Sequence, residues 1–441
     1  MHLRLRNVLK IAEADVELGG LTVIAGENDC GKSTVGKVLF SAVKAFNSAF
    51  DIQRDDVRPA LRMQVGQIAR VFFAHAKYDR SFLNSVNIKL LLDKGISAEE
   101  FEAGVMQEAA LLNIEGRQLA IIKNCISRIK QFIHILDNPD FALKTEFATI
   151  ASSEFREPLI SFGEVAGSIE FHDDTTDASG SDVNFYLSGA EVTKTIRNGR
   201  LSLEDITYIE TPLYLHLLNS LRPNRTADIP QSLSSKLGDY GNSPLPYHLI
   251  DLSKKVMRED QRPSLFDYGT DINLHQTIAN LITGEIEGEF IVDRETNELL
   301  FRQGENRIPT LSVASGIKSL GLLMRLVKTN SLSPYSMLIW DEPEIHLHPR
   351  WQLVLCKALV ELTANGVPVL VTSHSPYFIQ GLRYYSAARG IEKSTKFYLA
   401  ESKEAIGQVK ISEVTDDLNR VFSILAAPLR DIMNVAEARQ K

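Results

Sequence analysis

A chain of 441 residues with 44% hydrophobic content can bury a large core in two or three structural units, which excludes a disordered protein. Its formal charge of −8 excludes a surface that grips nucleic acid everywhere and leaves room only for a local basic groove. Three scattered cysteines, Cys30, Cys125 and Cys356, support neither a disulfide framework nor a clustered zinc site; with no cationic leader and no run of ~20 apolar residues, a reducing cytoplasmic setting without a membrane span is expected.

His2 to Asn7 alternates apolar and polar residues and Val16 to Leu18 continues after a turn, so an antiparallel edge is expected to lead into a strand at Leu21. Leu21 to Ala25 is apolar, and the nine residues that follow, Gly26, Glu27, Asn28, Asp29, Cys30, Gly31, Lys32, Ser33 and Thr34, spell a complete GxxxxGK[ST] loop before the amphipathic stretch Val35 to Phe46. Strand, loop and helix in that order make a nucleoside triphosphate site: the glycines let backbone N–H groups curl around the β-phosphate at the positive end of the helix. Lys32 is expected to reach the β- and γ-phosphates, Ser33 to place its hydroxyl on Mg²⁺, and Thr34 to cap nearby phosphate oxygens.

From Val35 to about Ile150 the pattern is helical, with apolar clusters at Val71 to Phe73 and Ile129 to Ile135. Short alternating runs follow at Leu159 to Phe162, Ser168 to Phe171 and Val183 to Leu187, split by the polar loop His172 to Asp182. Thr207 to Pro212 reads as a strand stopped by its proline, with turn-rich breaks at Pro223 to Pro230 and Gly238 to Pro246. A hairpin is expected from Glu289 to Asp293 and Glu298 to Arg302. Next, Ser336 to Asp341 is an apolar strand ending in the acids Asp341 and Glu342, the Walker B pattern: Asp341 serves the metal and Glu342 orients and deprotonates the attacking water. His346 and His348 are two residues apart, but no third ligand sits at a useful spacing, so no zinc site is expected. Leu370 to Ser373 is another buried strand, and it delivers His374, whose imidazole suits a γ-phosphate oxygen or the attacking water.

Taken together, Gly26 to Thr34, Asp341-Glu342-Pro343-Glu344 with His346 and His348-Pro349, and Ser373 to Pro376 resemble the ABC-type ATPases of the RecF, SMC and OLD group. The resemblance implies an α/β fold, an ABC-type P-loop ATPase head with a mixed sheet, an antiparallel β subdomain and helical insertions. It also implies a D-loop at Glu344 to Pro349, a switch histidine at His374, and a signature segment before Walker B that completes a partner's site. Ser312 to Ser319 fills that place, but Ala314 stands where the usual signature serine falls and Ser315 where the first glycine falls; Ser315 and Gly316 remain the candidates for the γ-phosphate contact. Two copies would thus sandwich ATP and Mg²⁺, in a homodimer or a higher even-numbered assembly. The expected division is 1–46 ATPase lobe I, 47–150 helical insertion, 151–212 antiparallel β part, 213–310 helical subdomain with hairpin, 311–400 ATPase lobe II and 401–441 tail.

Sustained heptads are missing between Thr34 and Leu311, so no long coiled-coil arm is expected, and the stretch after His374 is too short for the metal-dependent nuclease domain of OLD-like enzymes. Asp416 and Asp417 read as a solvated helix face, and His172, Asp173 and Asp174 as a solvated turn rather than a nuclease centre. Gln64 and Gln67 are the candidates for a metal-sensing glutamine. Stand-alone ATPases with this text resemble subunits of bacterial phage-defence systems such as PARIS or Septu, which implies an ATP-gated scaffold controlling a separate effector nuclease. The alternative is a RecF-like repair clamp that binds duplex DNA through a local basic groove.

Overall fold

The computed structural model describes residues 1–51, 57–75, 97–175, 180–189, 191–218, 245–260, 270–402 and 408–427. The breaks expected at Pro223 to Pro230 and over most of Gly238 to Pro246 lie outside these residues. Two compact units result, one of Met1–Lys44, Ile150–Arg225 and Pro244–Lys441, the other of Ala45–Thr149 and Thr226–Ser243.

Among the described residues, the first unit is built on an eleven-stranded sheet. Its strands are β1 (His2–Val8), β2 (Ile11–Glu17), β3 (Leu21–Gly26), β4 (Ala166–Asp173), β5 (Ser181–Ser188), β6 (Glu191–Asn198), β7 (Asp205–Ile209), β11 (Ser336–Asp341), β12 (Val369–Ser373), β13 (Thr395–Ser402) and β14 (Val409–Glu413), in the order β6-β5-β4-β1-β2-β14-β13-β3-β12-β11-β7. A separate small antiparallel sheet holds β8 (Glu289–Val292), β9 (Leu299–Gln303) and β10 (Asn306–Pro309). The strands β13, β3, β12, β11 and β7 run parallel, and every residue of β3, β11 and β12 is buried, as expected where helices cover both faces. Between β1 and β6 the pairing is antiparallel. The fold is therefore the α/β class the sequence indicates, with a mixed sheet, an antiparallel part and a helical block.

The core runs from β3 and β11 to the helix Ser315–Lys328, whose Leu320, Leu322, Leu323 and Leu326 are fully buried, and to Leu355, Leu359 and Leu362 of the helix Pro349–Ala364. The second unit contains the helices Val57–His75, Ala98–Leu111 and Gly116–Asp137. Ser97 and Glu100 close a reciprocal capping box at the start of Ala98–Leu111. Gln64 and Gln67 lie on the helix Val57–His75 of that unit, where Gln67 accepts from the Cys125 thiol. Among the described residues no helix is long and apolar enough to cross a membrane.

Several expectations are corrected. The N-terminal hairpin is interior to the sheet and does not border β3, because β14 and β13 lie between. The final segment is no mere tail from 401 onward: β14 pairs with both β13 and β2. Leu159 to Phe162 forms no strand, only an isolated bridge from Ile160 to Val8. The expected loop at His172 to Asp182 is shorter, since β4 runs to Asp173 and β5 starts at Ser181. β7, grouped with the antiparallel part at 151–212, pairs in parallel with β11. Asp416 and Asp417 are exposed as expected but sit in the turn before the helix Leu418–Leu425 rather than on its face.

Candidate active site

Ionic and polar side chains converge where β3, β11 and β12 end, the edge at which open parallel sheets present ligands. Gly26 to Gly31 loops out of β3 and the helix Lys32–Asp51 begins at once. Asp29 and Gly31 take left-handed backbone, φ +66 and +73; at Gly31 a side chain would be strained and would also press on Ile11. Glu27, Asn28 and Asp29 are exposed, while Cys30 is buried with its thiol donating to the Glu27 carbonyl over 2.7 Å. Burial pushes that thiol's pKa up, so it stays a thiol rather than a thiolate. Thr34 N–H donates to the Gly31 carbonyl.

Lys32 is only 4% exposed. Its ammonium donates to the carbonyls of Gly26 (3.0 Å) and Glu27 (2.6 Å) and stands 3.6 Å from Glu342 Oε1. Those carbonyls hold the charge at the mouth of the loop, where a β/γ-phosphate would meet it. Asp341, at the end of β11, accepts from Thr372 and, at 3.3 Å, from Tyr208 Oη. Burial raises its pKa above the ordinary carboxylate value, against the pull of the Ser33 and Thr372 hydroxyls. Ser33 and Asp341 thus share one buried oxygen-rich corner, which fits a hard divalent cation such as Mg²⁺. Among the described residues no cluster of three or more His, Cys, Asp or Glu could hold a metal by itself, so such an ion would rely on these two side chains, phosphate and water.

Glu342 follows in left-handed backbone, φ +44, held by its N–H donating to the Thr372 carbonyl (3.2 Å) and hydroxyl (3.1 Å). For a residue with a Cβ this conformation costs about 1–2 kcal/mol, which the β12 anchor maintains. The reward is aim: Glu342 Oε1 lies between Lys32 and His374 Nδ1, 3.2 Å away. A cavity of about 580 Å³ is lined by Lys10, the loop residues Asn28 to Thr34, Lys37, Glu154, Glu157, Asp341 and Glu342.

His346 and His348, two residues apart in sequence, are exposed, and His348 caps the helix Pro349–Ala364 by accepting from Arg350 N–H. Ser315 and Gly316 open the helix Ser315–Lys328, and Ala314 at the cap position supplies no side-chain hydrogen bond to the first N–H groups. A Cβ on Gly316 would sit 2.8 Å from the Trp351 ring and 3.3 Å from the His346 carbonyl, so this turn packs tightly on the segment between Walker B and the next helix. The structure thus gathers Gly26 to Thr34, Asp341, Glu342 and His374 at one site. His172 pairs with Asp182, and Asp173 is buried on Thr175 and Ser202, both held in structural contacts.

Sequence reasoning missed a second group behind the loop. Glu210, just past β7, pairs with Lys37 at 2.9 Å and accepts from Tyr214 Oη at 3.1 Å. His248 is fully buried between Glu154, 2.7 Å from its Nδ1, and Glu210, 3.5 Å from its Nε2. The His248 imidazole and Lys37 hold Glu210 down at about 2, while the two carboxylates raise His248 against the opposing effect of burial. The available signal was weak: Glu210 directly follows the strand whose Ile209 pairs with Trp340, but nothing in the chain marks Glu154 and His248 as its neighbours.

Residues 225–380, about a third of the chain, match the family model described as "AAA domain, putative AbiEii toxin, Type IV TA system". No curated protein matches the chain. Among solved structures, an SMC head bound to the C-winged helix domain of ScpA is 11% identical, with 95% of this chain and 98% of that one covered and a TM-score of 0.42. The SMC head domain from Thermotoga maritima is 10% identical over 94% and 98%, with a TM-score of 0.41. An ATP-binding cassette of an ABC transporter in its ADP conformation is 11% identical over 99% of both chains, with a TM-score of 0.32. By the family model, residues 225–380 are similar to an AAA domain, and the loop Gly26 to Thr34 with Asp341 and Glu342 has the motifs of a P-loop ATPase.

Proposed function

We propose that the chain binds and hydrolyses ATP as an ABC-type ATPase whose two copies enclose nucleotide, and that this cycle controls a separate effector in bacterial anti-phage defence. The observation that carries the catalytic part is the line Lys32, Glu342, His374: Lys32 and Glu342 line one cavity together with Ser33 and Asp341, and His374 stands against Glu342. Lys32 would bind the β- and γ-phosphates, and Ser33 with Asp341 would hold Mg²⁺, which when bound neutralises phosphate charge. Glu342 would take the proton of the attacking water as that water's oxygen bonds to the γ-phosphorus and the bond to the β-phosphate oxygen breaks.

The helix start at Ser315 and Gly316, with no side-chain cap from Ala314, supports the two-copy reading: it offers an anion seat to a neighbour's γ-phosphate. Hydrolysis would then remove the group that joins the two copies. The match to a family described by a toxin and a type IV TA system supports a defence setting. The test is ATP turnover by the purified chain with Mg²⁺. Lys32→Ala should abolish binding, and Glu342→Gln should keep ATP binding while slowing hydrolysis at least ~100-fold. Wild-type turnover retained in Glu342→Gln would remove Glu342 from its role; salt-sensitive DNA binding by the isolated chain would point instead to a repair clamp.

A further inference from the structure

Glu344 lies two residues past the catalytic candidate and is 4% exposed. Its Oε1 accepts from Ser373 Oγ at 2.6 Å and from His374 N–H at 3.3 Å, tying this loop to the end of β12; among the described residues the buried Oε2 has no hydrogen-bond partner. The same Oε1 stands 3.9 Å from His374 Nδ1, and Glu342 Oε1 stands 3.2 Å from it. Nδ1 is itself buried and hydrogen-bonded to neither, although the ring as a whole is 40% exposed. One nitrogen of His374 is therefore walled in by two carboxyl groups, and the open part of the ring lies elsewhere.

We propose that Glu344 is a positioning residue for hydrolysis, which with Glu342 keeps the His374 proton on Nδ1 and leaves the Nε2 lone pair to accept a hydrogen bond from the attacking water. Which imidazole nitrogen carries the proton is set by what faces the other. Two carboxyl oxygens within 4 Å of Nδ1 favour a hydrogen there, whereas a bare lone pair would face them in repulsion. The charged and titratable groups around this contact are Glu342 and Glu344 from the loop after β11, Lys32 across Glu342, Asp341 at the strand end, and Cys356 beside Glu344 from the helix Pro349–Ala364. None of them places a second cation against Nδ1. Burial raises the Glu344 pKa, and the hydrogen bond from Ser373 opposes that rise.

The inference rests on the ATPase reading for its consequence but not for its geometry, so its test separates the two. Protein labelled with ¹⁵N-histidine, with His374 assigned by comparison with His374→Asn, reports the tautomer without nucleotide. The expected result is an Nδ1–H tautomer in the wild type that shifts toward Nε2–H in Glu344→Gln. In the same variant kcat should fall about tenfold or more, as for other supporting-group losses, with the Kd for ADP changed by less than about twofold. Glu344→Asp should restore part of both. A wild-type His374 protonated on Nε2, or a Glu344→Gln protein with unaltered tautomer and kcat, overturns the proposal. If Glu344→Gln fails a thermal-melting check of folding, the wild-type tautomer decides alone. Absence of turnover in the wild type would defeat the ATPase reading and leave the tautomer result standing.

Discussion

Glu210 and His248 titrate in opposite senses, which gives the buried group behind the phosphate loop a pH window. Glu210 is held at about 2, so its contribution to folding is complete above the ordinary glutamate value near 4.5 and is lost as pH falls toward 2. His248 is raised, so its contribution is complete below about 6.5 and is lost as pH climbs through its folded value. Melting temperature should therefore be highest between these limits and fall on both sides. Glu210→Gln is expected to flatten the acid limb, and His248→Gln the alkaline limb; identical limbs in both variants would refute the assignment. The residues that sequence could reach are those whose chemistry is local. Lys32, Ser33 and Thr34 are fixed by a nine-residue text, and Asp341 with Glu342 by an apolar strand that ends in acid. Glu154, Glu210 and His248 come from three distant segments, and no spacing announces a triad assembled by tertiary packing.

Helices and strands carry the next predictions. At the start of the helix Ser315–Lys328 the glycine at 316 is required by contact with Trp351 and the His346 carbonyl. Gly316→Leu should cost about 1–3 kcal/mol through overpacking, visible as a lower denaturation midpoint, and should displace the loop after Walker B. Farther along the phosphate-loop helix, Lys44 meets Asp205 at 2.5 Å and Asp251 at 2.6 Å, while Lys255 meets both aspartates at 2.9 Å. The attraction of the two aspartates outweighs burial and raises Lys44 well above its ordinary value, in the direction of permanent charge, whereas Lys255 is lowered, chiefly by burial. Removing one charge leaves a buried cation short of a partner, so Asp205→Asn should destabilise by about 3 kcal/mol in denaturant unfolding. At this scale the sequence was readable where the pattern was strong, as alternation in β4 and β5 and as continuous apolar runs in β3 and β11. It was silent on β13, since the short apolar run Phe397 to Ala400 cannot be told from a buried helix segment by pattern alone.

For the whole molecule, the signature turn and the phosphate cavity are two halves that a single chain is proposed not to join. Light scattering should give one chain mass for Lys32→Ala with ATP and twice that mass for Glu342→Gln with ATP; equal masses would exclude nucleotide-dependent pairing. The sheet has a further consequence. β3 is hydrogen-bonded on one side to β12 and on the other to β13, so both neighbours of the first-made central strand are among the last strands in the chain. On the ribosome Gly26 emerges long before Val369 and Thr395, and until then Leu21 to Ala25 has no strand to pair with. A chain halted or clipped before Val369 leaves β3 with neither of its neighbours, so nucleotide competence is expected to report that translation has reached the far side of the sheet.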